Sequence, residues 1–129
     1  MVATTLTTEM IDAGAALIRK LDERGVQPDA AFWFYFPDVQ QWKLVLAEGE
    51  LSAEGPRQIY KNIQETLSAF PEELREISLE NVTLTKPDAP IVALLRLVIR
   101  TGPEISGIRF TDSVINGTVI EDTYIYRLL

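Results

Sequence analysis

The chain of 129 residues contains no histidine and no cysteine. Those two side chains most often carry proton transfer, nucleophilic attack and zinc binding at neutral pH. Carboxylate, lysine, tyrosine and hydroxyl groups are left as the reactive side chains. None of them falls into the spacing of a known catalytic or cofactor-binding motif, so the sequence predicts no cofactor and assigns no activity.

Basic residues are also scarce, because twelve lysines and arginines stand against nineteen acidic residues, a formal net charge of −7. Such a chain repels nucleic acid and anionic membranes unless a local basic patch overrides the charge, and the sequence holds no such cluster. The longest apolar stretch, residues 91–95 and 97–99, is far shorter than the roughly 20 residues of a membrane span. We interpret it as a buried helix and expect neither nucleic acid nor a membrane as partner.

The remaining composition is typical of a folded domain, with 47% hydrophobic and 24% charged residues. A chain of this length buries a core without a disulfide or a structural metal. No repeat, low-complexity tract or linker divides it, so we expect residues 1–129 to form a single globular domain. Residues 1–10 lack the basic leader and apolar core of an export signal, which favours a cytoplasmic protein.

Apolar side chains recur at three- and four-residue spacing in three segments, which predicts three helices. The first follows a cap at Thr7 or Thr8 and stops at Gly25, the second runs from Gly55 and Pro56 to Pro71, and the third runs from a cap at Asp88 through Arg100. Gly102 and Pro103 close the third helix.

β-Branched and aromatic segments predict five strands, over residues 30–36, 42–47, 77–84, 108–115 and 118–128. A bulge or bend is expected near Asn81 in the third strand. The first two strands form an antiparallel hairpin, and the last two form a tight hairpin at Asn116 and Gly117, where the turn requires positive φ. We therefore predict an α+β fold, a mainly antiparallel five-stranded sheet with about three helices packed on one face.

The second hairpin predicts the one carboxylate cluster that geometry brings together. A two-residue turn sets Asp112 opposite Glu121, with Asp122 adjacent. The shared face would also carry Ile108, Phe110, Val114, Val119 and Ile125. The functional interpretation is a hard-metal site or a carboxylate pair for acid–base catalysis. The structural interpretation, which we favour because a metal needs more ligands, is that these side chains turn to solvent or pair with arginine.

Three arginines are candidates for an anion-binding site. Arg96 and Arg100 lie four residues apart on the third predicted helix, and Arg109 begins the following strand. Gathered together, their guanidinium groups would hold a phosphate or carboxylate. In so acidic a chain we favour the alternative that they neutralise the carboxylates of the second hairpin.

Aromatic residues of the strands are candidates for an interface. Alternation places Trp33, Tyr35 and Lys43 on one face of the first hairpin, and Tyr124 and Tyr126 on one face of the last strand. These side chains form either an exposed plate with the composition of an interface hot spot or a second core layer under the first helix. The sequence favours neither interpretation over the other.

The C-terminal strand is strongly β-forming and carries little charge, so it is either central in the sheet or an edge that pairs with another copy. Our leading hypothesis is a non-catalytic cytoplasmic protein, a homodimer that acts through a protein interface centred on the first hairpin and this strand. The alternatives are a small metal-dependent or acid–base enzyme that uses the carboxylates and arginines, and a module that binds a small aromatic or apolar ligand.

Overall fold

A computed structural model describes residues 5–48 and 51–129, with the side chains of residues 51–56 outside the description. The helices are α1 (Thr8–Glu23), α2 (Leu51–Ala69) and α3 (Pro90–Arg96). The strands are β1 (Ala30–Phe36), β2 (Gln41–Ala47), β3 (Val82–Thr85), β4 (Ile108–Ile115) and β5 (Thr118–Leu128), and a short 3₁₀ helix (Leu79–Asn81) precedes β3. None of the described helices has the length and apolar character needed to cross a bilayer.

The five strands form one sheet in the order β3-β2-β1-β5-β4. All neighbours are antiparallel except β2 and β3, which are parallel. This confirms the α+β fold and the mainly antiparallel sheet. The C-terminal strand β5 lies between β1 and β4, so its backbone groups are paired on both sides. Its expected alternative role as an edge that pairs with another copy is therefore wrong; in the described residues β3 and β4 form the edges.

Local turn and cap residues act as the sequence predicts. Thr7 caps α1 by accepting a hydrogen bond from the backbone N–H of Met10, and Gly25 after the helix has φ 84°. Asn116 and Gly117 both have positive φ, 49° and 82°, and the register pairs Ile115 with Thr118. The bounds of β1, β4 and β5 agree with the predicted strands.

The helices lie on both faces of the sheet, which corrects the expectation that all three share one face. The face of Trp33 and Leu44 packs against α1 and α2 in one apolar cluster. The face of Phe32 and Val45 packs against α3 in a second cluster. Because successive strand residues point to opposite sides, these two clusters lie on opposite faces of the same sheet.

The third strand is shorter than predicted. It begins at Val82, because the preceding residues close a turn in place of pairing with the sheet. The backbone N–H of Ser78 donates to Asn81 Oδ1 (2.9 Å), and the N–H of Asn81 donates to the carbonyl of Ser78 (3.1 Å). A turn that is capped by the Asn81 side chain, near the expected bend, thus takes the place of the first half of the predicted strand.

The second and third helices also differ from their predicted bounds. The second begins at Leu51, ahead of the predicted Gly55 and Pro56. The third begins at Pro90 and ends at Arg96, short of the predicted Arg100. The chain leaves α3 because Thr101 is held at the end of β5: its N–H donates to the carbonyl of Leu128, and its Oγ1 accepts from the N–H of Leu128, both at 2.8 Å.

Candidate functional site

The carboxylates of the second hairpin lie at an irregular point in the β4–β5 ladder. The regular pairs Thr111–Asp122 and Ser113–Ile120 flank Asp112, whose φ is 46°. Such a left-handed conformation is uncommon for a residue other than glycine, although aspartate tolerates it better than most. The register is the same before and after this point, so the turn sets Glu121 at the level of Asp112, as the sequence predicts.

Both strands nevertheless lose their alternation there. Phe110 and Ile115 belong to the same apolar cluster, and so do Ile120 and Ile125. Strict alternation would place residues five apart on opposite faces of the sheet. The side-chain pattern therefore shifts by one residue in each strand near Asp112.

This shift corrects the predicted face of the carboxylates. Ile108, Phe110 and Ile125 pack against the α3 side of the sheet, and at the hairpin tip Val114 and Val119 are 68% and 64% exposed. The carboxylates line an open groove of about 330 Å³ whose other walls include an aromatic pair. The lining residues are Tyr35, Trp42, Thr111, Asp112, Glu121 and Asp122.

One of the three carboxylates is neutralised by an arginine. Arg109 donates from Nε to Asp122 Oδ1 (3.0 Å) and from Nη2 to Asp122 Oδ2 (2.7 Å). These hydrogen bonds raise the pKa of the Arg109 guanidinium. The favoured interpretation, pairing with arginine, thus applies to Asp122. Across residues 5–48 and 51–129, no group of three or more acidic side chains is placed to hold a metal ion.

The three candidate arginines do not gather, so the predicted anion-binding cluster is absent from the described residues. Arg96 lies on the α3 side and donates to the backbone oxygens of Leu129 (2.7 Å) and Pro87 (2.5 Å). Arg109 lies on the other side of the sheet with Asp122. Arg100 is exposed and has no hydrogen bond or ion pair with the described part of the chain.

Of the two interpretations of the aromatic residues, the core layer under the first helix applies to Trp33 and Tyr126. Trp33 is 0% and Tyr126 is 1% exposed, beneath α1. Trp33 Nε1 donates to Tyr126 Oη (2.9 Å), which donates to the carbonyl oxygen of Ile11 (2.5 Å). A Cβ added at Gly14 would collide with the Tyr126 hydroxyl, so glycine lets the helix approach these two rings.

The other three interface candidates are divided between the faces. Tyr35 and Tyr124 are half-buried and pack against the α1 cluster. Lys43 pairs with Phe34 across the hairpin and therefore lies on the α3 face, where its Nζ is 5.9 Å from the centre of the Phe36 ring. The expected grouping of Lys43 with Trp33 and Tyr35 is wrong, because Lys43 alternates with Trp42 and Leu44 along β2.

Sequence reasoning missed an exposed apolar surface on α3. The inner side of this helix carries Val92 and Leu95, both 0% exposed. Exposed apolar residues lie on its outward side and in the turn that follows it, and we name them the α3 outer patch: Pro90, Ala93, Leu97 and Val98. Leu97 is 65% and Val98 is 49% exposed. The expectation of a buried helix is correct for one side only; the all-round apolar sequence was the available signal.

Single charges flank the α3 outer patch at its two ends. Asp88 precedes the helix and Arg100 follows it, and both side chains are exposed. Neither has a hydrogen bond or ion pair with another described residue.

Comparison with known protein families, with curated proteins and with solved structures finds no match for this chain. The functional argument therefore rests on the surfaces described above.

Proposed function

We propose that this protein is a non-catalytic cytoplasmic protein that acts through a protein interface, and that it forms a homodimer through the α3 outer patch. The observation that carries the proposal is the exposure of Leu97 and Val98, 65% and 49%, in the turn that follows α3, while Val92 and Leu95 on the inner side of the helix are fully buried. The proposed interface lies on the outer side of α3, which itself covers the first hairpin and the C-terminal strand on this face of the sheet.

Folding alone does not require apolar residues at these positions. Val92 and Leu95 already anchor the helix to the sheet, and polar side chains on the outward side would keep that contact unchanged. A helix that is apolar on all sides is typically buried on all sides. Burial of a leucine or valine side chain contributes about 1.5–3 kcal/mol, so a contact that covers Leu97 and Val98 has a substantial driving force.

The experiment is sedimentation equilibrium over a range that reaches high micromolar concentration, with the double variant Leu97→Ser/Val98→Ser beside the unaltered protein. We expect the unaltered protein to dimerise and the variant to remain monomeric with an unchanged circular dichroism spectrum. Val39→Ser is the matched control, because Val39 is 52% exposed but lies in the β1–β2 loop. It is expected to leave dimerisation intact.

Two outcomes would overturn the proposal. A protein that stays monomeric at the highest concentration has no homodimer interface. A dimer that survives Leu97→Ser/Val98→Ser but is lost in Val114→Ser associates through the tip of the second hairpin, where Val114 is 68% exposed.

A further inference from the structure

We infer that the left-handed backbone conformation of Asp112 protects the β4 edge of the sheet, so that a strand of another copy does not add to it. The inference does not depend on the homodimer proposed above, which uses a different surface. It follows from the length of β4, from the backbone at Asp112 and from the contacts of the neighbouring residues.

β4 is an eight-residue strand with one free edge, because among the described residues only β5 pairs with it. A free edge carries unpaired backbone N–H and C=O groups that form a template for another strand. The sequence of β4 increases this risk, since Ile108, Thr111, Val114 and Ile115 have the β-branched side chains that favour strands. A strand of this length and composition needs a feature that keeps its edge from pairing.

The opposite edge of the sheet is protected in another way. β3 has only four residues, and the backbone N–H of Leu84 donates to the Tyr60 hydroxyl of α2 (3.4 Å). A short edge strand whose N–H is already bound offers little to a second strand. β4 is twice as long, so its length gives no such protection.

The backbone turns at Asp112, near the middle of β4. Its φ of 46° lies in the left-handed region, although the residues on both sides of it pair with β5. The side-chain pattern shifts by one residue here, so that Phe110 and Ile115 reach the same apolar cluster. Outward backbone groups alternate along a regular strand, and this shift interrupts their row. A second strand therefore finds no continuous set of partners, which is how a bulge protects an edge.

A side-chain hydrogen bond next to Asp112 adds to the effect. Ser113 Oγ donates to the backbone carbonyl of Thr111 (3.1 Å). This contact supplies a partner within β4 for an acceptor beside the irregular point, so a second strand has less to gain by pairing there.

The sequence also permits a straight β4, so the core does not force the irregular conformation. Strict alternation along both strands would bury Val114 and Val119 at the hairpin tip in place of Ile115 and Ile120. All four side chains are apolar and β-branched, so either arrangement supplies apolar contacts. The residue at position 112 therefore determines the conformation, because aspartate tolerates positive φ and a β-branched residue does not.

The test replaces Asp112 in the Leu97→Ser/Val98→Ser variant, where association through the α3 outer patch is removed. Asp112→Thr disfavours positive φ, so we expect β4 to straighten and the weight-average mass in sedimentation equilibrium to rise about twofold or more at high micromolar concentration. Asp112→Asn loses the same charge but tolerates the conformation, and is expected to leave the mass unchanged. Asp38→Thr makes the threonine substitution in the exposed β1–β2 loop and serves as a second control.

Amide hydrogen exchange reports where association occurs and also tests the chain that keeps Asp112. Alternate N–H groups of an edge strand point away from the sheet. In the Leu97→Ser/Val98→Ser variant we expect those of β4 to exchange at a rate that does not depend on protein concentration. When Asp112→Thr is added, the same N–H groups should become protected as the concentration rises.

Three results would overturn the inference. An Asp112→Thr protein that is folded by circular dichroism and stays monomeric shows that β4 needs no protection at this point. Equal association of Asp112→Asn and Asp112→Thr assigns the protection to the charge and not to the backbone. Concentration-dependent protection of β4 while Asp112 is present shows that the edge already pairs, and this result applies even if Asp112→Thr does not fold. A monomeric unaltered protein removes the proposed homodimer and leaves this inference standing.

Discussion

The guanidinium of Arg127 forms a two-point ion pair with the carboxylate of Asp22, with Nη2–Oδ2 at 2.7 Å and Nη1–Oδ1 at 3.0 Å. Arg127 is 4% exposed, and it also donates to the carbonyl oxygens of Pro28 and Pro103. One side chain of β5 thus joins the last turn of α1 to two loops. A buried arginine is tolerated here because its donors have partners.

Removal of the carboxylate is expected to destabilise the fold. Asp22→Ala leaves the Arg127 guanidinium buried without its counter-charge, and we expect the free energy of unfolding to fall by about 3 kcal/mol. In Asp22→Ala/Arg127→Met no unpaired charge remains, so the loss should be much smaller than the sum of the two single losses.

Urea unfolding measures these changes in free energy. The control is Glu65→Gln, which breaks the exposed Arg24–Glu65 ion pair, and we expect it to cost less than about 1 kcal/mol. Equal effects of Asp22→Ala and Glu65→Gln would contradict a structural role for the buried pair.

Gly14→Ala is expected to destabilise the protein by about 1–3 kcal/mol, although alanine has the higher helix propensity by about 1 kcal/mol. The reason is the collision of the new Cβ with the Tyr126 hydroxyl. In a Tyr126→Phe background the hydroxyl is gone, so the same substitution should cost less. Thermal unfolding of the unaltered protein, the two single variants and the double variant measures the coupling free energy between positions 14 and 126. A rise in stability for Gly14→Ala alone would show that the helix does not approach Tyr126 so closely.

Burial of Tyr126 makes the stability of the fold depend on pH in the alkaline range. Desolvation raises the pKa of its hydroxyl well above the ordinary value of 10.0. Because the folded state then holds this proton more tightly than the unfolded state, Tyr126 lowers stability as the pH rises above about 10, by up to about 1.4 kcal/mol per pH unit. Below pH 10 it adds no pH dependence.

Denaturant unfolding between pH 8 and 11 tests this signature, at pH values chosen to bracket the ordinary tyrosine pKa of about 10. We expect Tyr126→Phe to have a shallower alkaline loss of stability than the unaltered protein. Identical slopes in the two proteins would mean that Tyr126 ionises freely in the fold.

Neutralising the unpaired carboxylates of the groove is expected to preserve or raise stability. Asp112→Asn and Glu121→Gln each remove one of two like charges at the same level of the β4–β5 ladder, a gain of up to about 1 kcal/mol. Asparagine also tolerates the positive φ of position 112 well. Asp122→Asn is the matched contrast, since it breaks the pair with Arg109 and should lower stability slightly.

Native mass spectrometry of the same variants separates this interpretation from the metal-dependent alternative. The unaltered protein is expected to have the mass of its subunits without an added ion. An ion that is retained by the unaltered protein and lost in Asp112→Asn and Glu121→Gln, together with lower stability of both variants, would favour a metal site in the groove.

The sequence alone predicted the elements whose signals are local. The cap at Thr7 and the stop at Gly25 bound α1, and the Asn116–Gly117 turn sets the register of β4 and β5, because each depends on residues a few positions apart. The same local turn predicted that Asp112 and Glu121 meet at one level. The face that they occupy was not predictable, because it depends on the loss of alternation at Asp112.

Contacts between residues distant in sequence determined the remaining features of the fold. Only the tertiary structure placed β5 between β1 and β4, α3 on the face opposite α1, and Arg127 against Asp22, 105 residues away. It also ended α3 early, through hydrogen bonds between Thr101 and Leu128. Such contacts depend on which surfaces are buried together, and the periodicity of a single segment shows that a face is apolar without showing what covers it.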